Sequence, residues 1–251
     1  MKKLILKTVW QTLAAIAFLA VVWLVAYFSV GNELLVPSLK ETLQEMGALF
    51  LSGGFWKGLL NSLLRALGGF GISFVFALVF AIVAYMVPSL ETFFAPIVSA
   101  LRSLPVLAVL LILLSFLGAG EAPVAVAFLS LFPMLYTSIL AALRGIDKQL
   151  LEIGRVYGAD ATTRIVKVYL PLSAPYILRE SGASLSFSLK LVVSAEVLAN
   201  TAKSLGGMVF EAKVYAEIPQ LFALVVVTFA LGLIMELIVS IFATMAEKAV
   251  R

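Results

Sequence analysis

Neither cysteine nor histidine occurs anywhere in the 251 residues. Their joint absence removes disulfides, thiol nucleophiles, thiolate or imidazole zinc sites, Ser-His-Asp triads and imidazole proton relays from consideration. Charge is scarce as well. Asp, Glu, Lys and Arg make up 13% of the chain and apolar residues 63%, whereas a soluble domain carries about 25% and about 45–50%. No water-soluble core of this size absorbs that excess. A Gly-x4-Gly-Lys-Ser/Thr loop is missing, so the sequence carries no phosphate-binding loop of that kind. Basic residues never interleave with aromatics in a stripe, and the net charge of +4 follows from lysine and arginine retained on one set of loops. Nucleic acid is therefore not an expected partner, and membrane lipid is.

What the chain does have is long apolar helix. A bilayer core takes about 20 mostly apolar residues per crossing, and stretches of that order run over 8–32, 58–87, 93–117, 124–143, 174–198 and 221–246. The expectation is an all-α polytopic membrane protein of about six transmembrane helices. Residues 1–57 read as an N-terminal anchor helix and an external segment with a short surface helix. Residues 58–246 read as the core of a single domain, interrupted by one long polar stretch at 145–171. The first apolar run is longer than a secretory leader's core and lacks a small-x-small cleavage site, which favours an anchor. Gly68, Gly69 and Gly71 are expected to allow close helix approach, because membrane helices pack through small residues. Residues 88–92 and 118–123 are expected to be turns.

Basic residues set the expected orientation. Lys2, Lys3, Lys7, Arg144, Lys148, Arg155, Arg164, Lys167, Lys248 and Arg251 fall on one side, against Lys40, Lys57, Lys203 and Lys213 on the other. The positive-inside rule then puts both termini and the 145–171 stretch in the cytoplasm.

That polar stretch reads as a helix, a turn and a second helix. Asp147 caps the first, Gly158 supplies a left-handed stop, Asp160 caps the next, and Ile165, Val166 and Tyr169 repeat at helical spacing until Pro171. Such a pair, with small residues on a cytoplasmic face, is suited to docking in another protein's groove. A solvated loop with an incidental amphipathic turn fits the same residues.

A resemblance decides between them. Glu152, two following residues ending in Gly154, Gly158, Val168, Leu170 and Pro171 resemble the "EAA" loop of ATP-binding cassette (ABC) importer permeases, with Ile153 departing from the usual alanine and Gly154 replacing the second. The similarity extends over about 62–237. Arg102-Ser103-Leu104-Pro105 is similar to the family's Arg-x-x-Pro segment. Ala195-Glu196-Val197-Leu198 with Ser204-Leu205-Gly206 resembles paired motifs of the nitrate, sulfonate and taurine branch.

The resemblance implies a coupling helix seated on a separate ATPase, with Glu152, Gly154, Arg155, Tyr157, Gly158, Ala159, Asp160, Leu170 and Pro171 as the transmission surface. It implies that ATP and Mg are bound by that ABC ATPase subunit and that this chain carries no cofactor and no catalytic residue. It also implies an extracytoplasmic solute-binding protein and a second permease copy in a homodimer, all at a bacterial inner membrane. A self-contained secondary transporter or channel is the alternative, and it would be expected to show inverted repeats and paired broken helices. No such repeat is found.

Ionisable and hydroxyl residues inside the apolar runs are the candidates for a translocation pathway. At 100° per residue, Ser181, Ser184, Ser188 and Glu196 share one face of the fifth run, and Arg179, Ser186, Lys190 and Ser194 the opposite one. Serines in membrane helices also serve as close-packing residues. An unpaired charge at the bilayer centre costs about 2.5–3.5 kcal/mol on insertion scales. Arg102 and Lys190 therefore either snorkel or line a cavity that favours an anionic solute. Glu196 could pair with a cation, gate the outer mouth or meet the binding protein.

Overall fold

A computed structural model gives the architecture, and it describes residues 2–146, 163 and 165–250. Among them the chain is helical: α1 (Lys2–Val30), α2 (Leu39–Leu51), α3 (Gly53–Met86), α4 (Pro88–Ser103), α5 (Val106–Arg144), a turn of π-helix (Ile165–Tyr169), α6 (Leu170–Ala199), α7 (Leu205–Val214) and α8 (Ile218–Val250). Four segments are long and apolar enough to cross a membrane, namely Gly53–Met86, Val106–Arg144, Lys167–Ala199 and Ile218–Lys248, and Ala17–Val30 adds a shorter apolar one.

The third expected crossing departs from a plain helix. α4 has 16 residues, about 24 Å at 1.5 Å per residue, which falls short of a hydrocarbon core about 30 Å thick. It ends because Leu104 precedes Pro105 and is held extended, at φ −66° and ψ 130°. α5 then contains a reversal at Gly118, whose φ of 74° and ψ of 176° belong to a region only glycine enters readily. The two arms of α5 fold against each other, with Leu110 of the first packed among Ala122 and Val126 of the second. The expected third and fourth runs thus become α4 plus one arm, then the other arm. The turn expected over 118–123 narrows to Gly118, and Pro123 lies inside the helix. Residues 88–92 are not a turn but the start of α4. Pro88 occupies the first helical position, where its missing N–H costs nothing. Pro171, expected as a stop, likewise sits in the first turn of α6, which continues from the π turn.

Packing is inverted relative to a soluble bundle. The buried positions of α3 include Gly58, Ser62, Ala66, Gly69, Ser73, Ala77, Ala81 and Ala84, a stripe of small residues at helical spacing. Its bulky Leu60, Leu64, Phe76 and Val79 face outward. Lipid tails are as apolar as leucine, so large side chains gain little by turning inward, and small ones let backbones approach. Of the three glycines expected to serve this way, Gly69 does: a Cβ there would stand 2.8 Å from that of Ala127 in α5. Gly68 and Gly71 have open space around them.

α6 is the central helix. It packs against α3, α5, α7 and α8. In its apolar window 56% of residues are buried, against 22–28% in the other three long spans. That explains why it is the least hydrophobic run, since its neighbours are protein rather than lipid. α1 touches the rest near its end, where the Trp23 ring lies 5.3 Å from Phe222 and the Trp23 indole N–H donates to the Pro37 carbonyl at 3.1 Å. α2 begins with a capping box in which Ser38 and Glu41 satisfy each other's backbone N–H groups.

Candidate functional site

The densest polar construction lies where α6 ends and α7 begins. Glu196, in the last turns of α6, is fully buried. Its Oε1 accepts from Arg65 Nη1 at 2.9 Å, and its Oε2 accepts from Ser62 Oγ at 2.6 Å and from the Gly206 N–H at 3.2 Å. Ser62 Oγ in turn accepts from the Leu205 N–H at 2.9 Å, and Ser204 Oγ accepts from the Gly207 N–H at 2.8 Å. The first three N–H groups of α7, orphaned by helix geometry, therefore all find side-chain acceptors. One of these is a carboxylate on the positive end of the helix dipole. Arg65 Nε also donates to the Gly120 carbonyl at 3.0 Å, and Thr201 Oγ1 to the Ala119 carbonyl at 2.8 Å. The clamp thus ties α3, the Gly118 reversal, α6 and α7 together at one end of the bundle.

Two glycines make this approach possible. A Cβ on Gly206 would stand 2.3 Å from Glu196 Cβ and 2.6 Å from the Val193 carbonyl oxygen, and one on Gly207 would stand 2.2 Å from the Thr201 carbonyl oxygen. The sequence pair Ala195-Glu196-Val197-Leu198 and Ser204-Leu205-Gly206 is thereby an architectural unit, the acceptor and the glycine that lets the donor reach it.

The candidate pathway residues separate. Ser184, Ser188 and Glu196 turn into the bundle, so they do not face open space in this chain. Ser188 Oγ donates to the Ala66 carbonyl at 2.8 Å, joining α6 to α3, and Ser181 bonds back to the Ile177 carbonyl. Ser186, on the opposite face, is buried too, beside Gly232 of α8. Lys190 does lie exposed, on a stripe of α6 with Tyr176, Arg179, Ala183, Phe187 and Ser194. Arg102, in the last turn of α4, shares a cavity of about 250 Å³ with Phe187 of that stripe.

Of the coupling residues, Glu152, Gly154, Arg155, Tyr157, Gly158, Ala159 and Asp160 lie outside the described residues. Leu170 and Pro171 open α6, just after Tyr169, whose ring meets Tyr85 of α3 edge-on at 5.3 Å. Sequence reasoning missed Arg65 as the partner of Glu196, and Glu91 as the ion-pair partner of Arg144. Only the three-residue spacing of Ser62 and Arg65, which puts both on one helix face, offered a signal.

Known proteins resemble this chain over most of its length. Residues 69–251 match the family described as binding-protein-dependent transport system inner membrane component. A Brucella melitensis protein named a probable ABC transporter permease is 29% identical over 209 residues, covering 82% of this chain and 83% of its own. SsuC of Bacillus subtilis, named for aliphatic sulfonate transport, is 26% identical over 86% of this chain and 79% of its own. TauC of Escherichia coli, a taurine transport permease, is 25% identical over 87% and 82%. Among solved structures, the MetNI methionine ABC transporter in an inward-facing conformation aligns with a TM-score of 0.67 at 18% identity, over 75% of this chain and 94% of the other.

Proposed function

The chain belongs to the family of binding-protein-dependent transport system inner membrane components, the membrane-spanning permeases of ABC importers, and from that premise we propose that it forms the path of a small anionic solute. The observation that carries this reading is the family match over 69–251, which spans the polar stretch between the ends of α5 and α6. Residues 145–171 act there as the coupling segment. Glu152 to Asp160 dock on a separate ABC ATPase, which binds ATP and Mg, and Leu170 and Pro171 hand the movement to α6. The subunit itself is not an enzyme. Both termini and the coupling segment face the cytoplasm of a bacterial inner membrane, in line with the distribution of lysine and arginine. The Glu196 clamp and α7 then lie at the opposite mouth, where an extracytoplasmic solute-binding protein delivers its cargo. Two copies complete the pathway as a homodimer, each acting as a single permease domain. Relatives named for sulfonate and taurine support a sulfonate-like cargo, and Arg102 and Lys190 supply positive charge along its route.

ATP-driven closure of two ATPases would switch the permease pair between inward-open and outward-open states by rigid-body movement. Gly158→Trp is therefore expected to leave membrane insertion intact while substrate-stimulated ATP hydrolysis falls to the unstimulated rate in reconstituted complex. Full stimulation in that variant refutes the coupling role. Solute uptake by the permease alone in ATPase-free liposomes would favour a secondary transporter instead.

A further inference from the structure

Polar groups that neither the clamp nor the coupling segment uses gather in a cleft of about 710 Å³ between α4 and the second arm of α5, lined by Glu91, Ser99, Arg102, Tyr136, Thr137 and Arg144 above an apolar floor. That volume lies within the range of about 300–1,000 Å³ typical of small-molecule sites. We propose that this cleft binds the oxyanion of a small solute during transit, with Arg102 and the Tyr136 hydroxyl as its donors. The inference rests on the permease reading and adds to it a location and a donor set.

Tyr136 is 3% exposed, and its hydroxyl is the buried side-chain polar atom without a hydrogen-bond partner among the described residues. Buried polar groups are overwhelmingly paired, and an exception calls for a ligand or other reason. Thr137 offers no competing donor, because its hydroxyl already bonds to the Pro133 and Met134 carbonyls. Glu91 and Arg144 pair with each other. Among the described lining residues, two guanidinium groups against one carboxylate leave one uncompensated positive charge, which repels a cation and attracts an anion. A guanidinium fork with a phenolic O–H matches the geometry of a sulfonate or carboxylate. Arg102 borders both this cleft and the smaller cavity that reaches Phe187 on the exposed stripe of α6. The extended Leu104-Pro105 break holds it at the end of α4, where it borders both spaces, so the guanidinium is within reach of a solute in either.

The test uses the permease–ATPase complex in phosphatidylcholine nanodiscs without binding protein, titrated with radiolabelled ethanesulfonate. Wild type is expected to bind it saturably and to ignore choline. Tyr136→Phe, which removes one oxygen, and Arg102→Gln should each weaken binding by about tenfold, the order expected for one hydrogen bond to a charged group. Arg102→Lys, which keeps the charge and loses the fork, should fall between. Equal affinity in wild type and both variants overturns the proposal, as does the absence of saturable binding. Displacement of ethanesulfonate by added phosphatidylglycerol assigns the cleft to a lipid headgroup and overturns it too. Failure of the permease reading looks different: ATP hydrolysis by the wild-type complex would ignore solute-loaded binding protein, whatever the nanodiscs bind.

Discussion

Glu196→Ala is expected to destabilise the bundle by about 3 kcal/mol, the lower end of the range of about 3–5 kcal/mol for breaking a buried ion pair by removing one partner. The lower end applies because the Arg65 side chain keeps 21% exposure while Glu196 has none. Removal strands the guanidinium and also deprives the Gly206 N–H and the Ser62 hydroxyl of their acceptor. Glu196→Gln should lose less, since an amide oxygen still accepts from both but carries no counter-charge for Arg65. Thermal unfolding of the detergent-solubilised permease checks the ranking: wild type, then glutamine, then alanine. An alanine variant that melts with wild type would remove the clamp from any account of stability. Importantly, the loss should be largest at the α7 end. Proteolysis within 200–217 should therefore accelerate before the α3–α5 contact opens.

Gly206→Ala should be as damaging, for a steric rather than an electrostatic reason. The added methyl would meet Glu196 Cβ at 2.3 Å and the Val193 carbonyl oxygen and Val197 nitrogen at 2.6 Å. These are backbone atoms or a side-chain stem of the central helix, and none is the free end of a flexible chain. Overpacking costs about 1–3 kcal/mol where neighbours can yield; here α7 must leave α6 and surrender the Glu196 hydrogen bond with it. The expected result is loss of the monodisperse peak in fluorescence-detected size-exclusion chromatography. Gly71→Ala is the control. Its site is open, and alanine is favoured over glycine in a helix by about 1 kcal/mol, so that variant should behave as wild type or slightly better. A monodisperse Gly206→Ala protein beside an aggregated Gly71→Ala one would invert the argument.

Most of the apolar runs were readable because bilayer thickness fixes their length, although 93–117 breaks at Pro105, and the reversal near Gly118 was readable because Gly118, Gly120, Glu121 and Pro123 together interrupt two apolar stretches. Pro88 and Pro171 read in sequence as the edge of a turn and a stop, yet each sits in the first turn of a helix. The residue serves equally well at the first helical positions, and sequence alone does not distinguish the two. The helical wheel separated the faces of α6 correctly, as the exposed Arg179, Lys190 and Ser194 show. It could not say that Ser186, on that same side, is covered by α8, because a wheel gives direction and not neighbours. Arg65 and Glu196 are 131 residues apart. No local pattern announces a partner at that distance, and the same holds for the 53 residues between Glu91 and Arg144.

The inward-facing stripe of small residues on α3 bears on how this gene tolerates change. In a water-soluble domain, shaving a leucine does the harm and enlarging an alanine is often absorbed at the surface. Along α3 the vulnerability is reversed. Trimming Leu64 or Val79 merely hands the vacated volume to acyl chains, whereas one extra carbon at Ala77 or Ala81 wedges two helices apart. Drift at the lipid-facing positions is therefore close to free, and the residues that look least informative on inspection carry the strictest size limit.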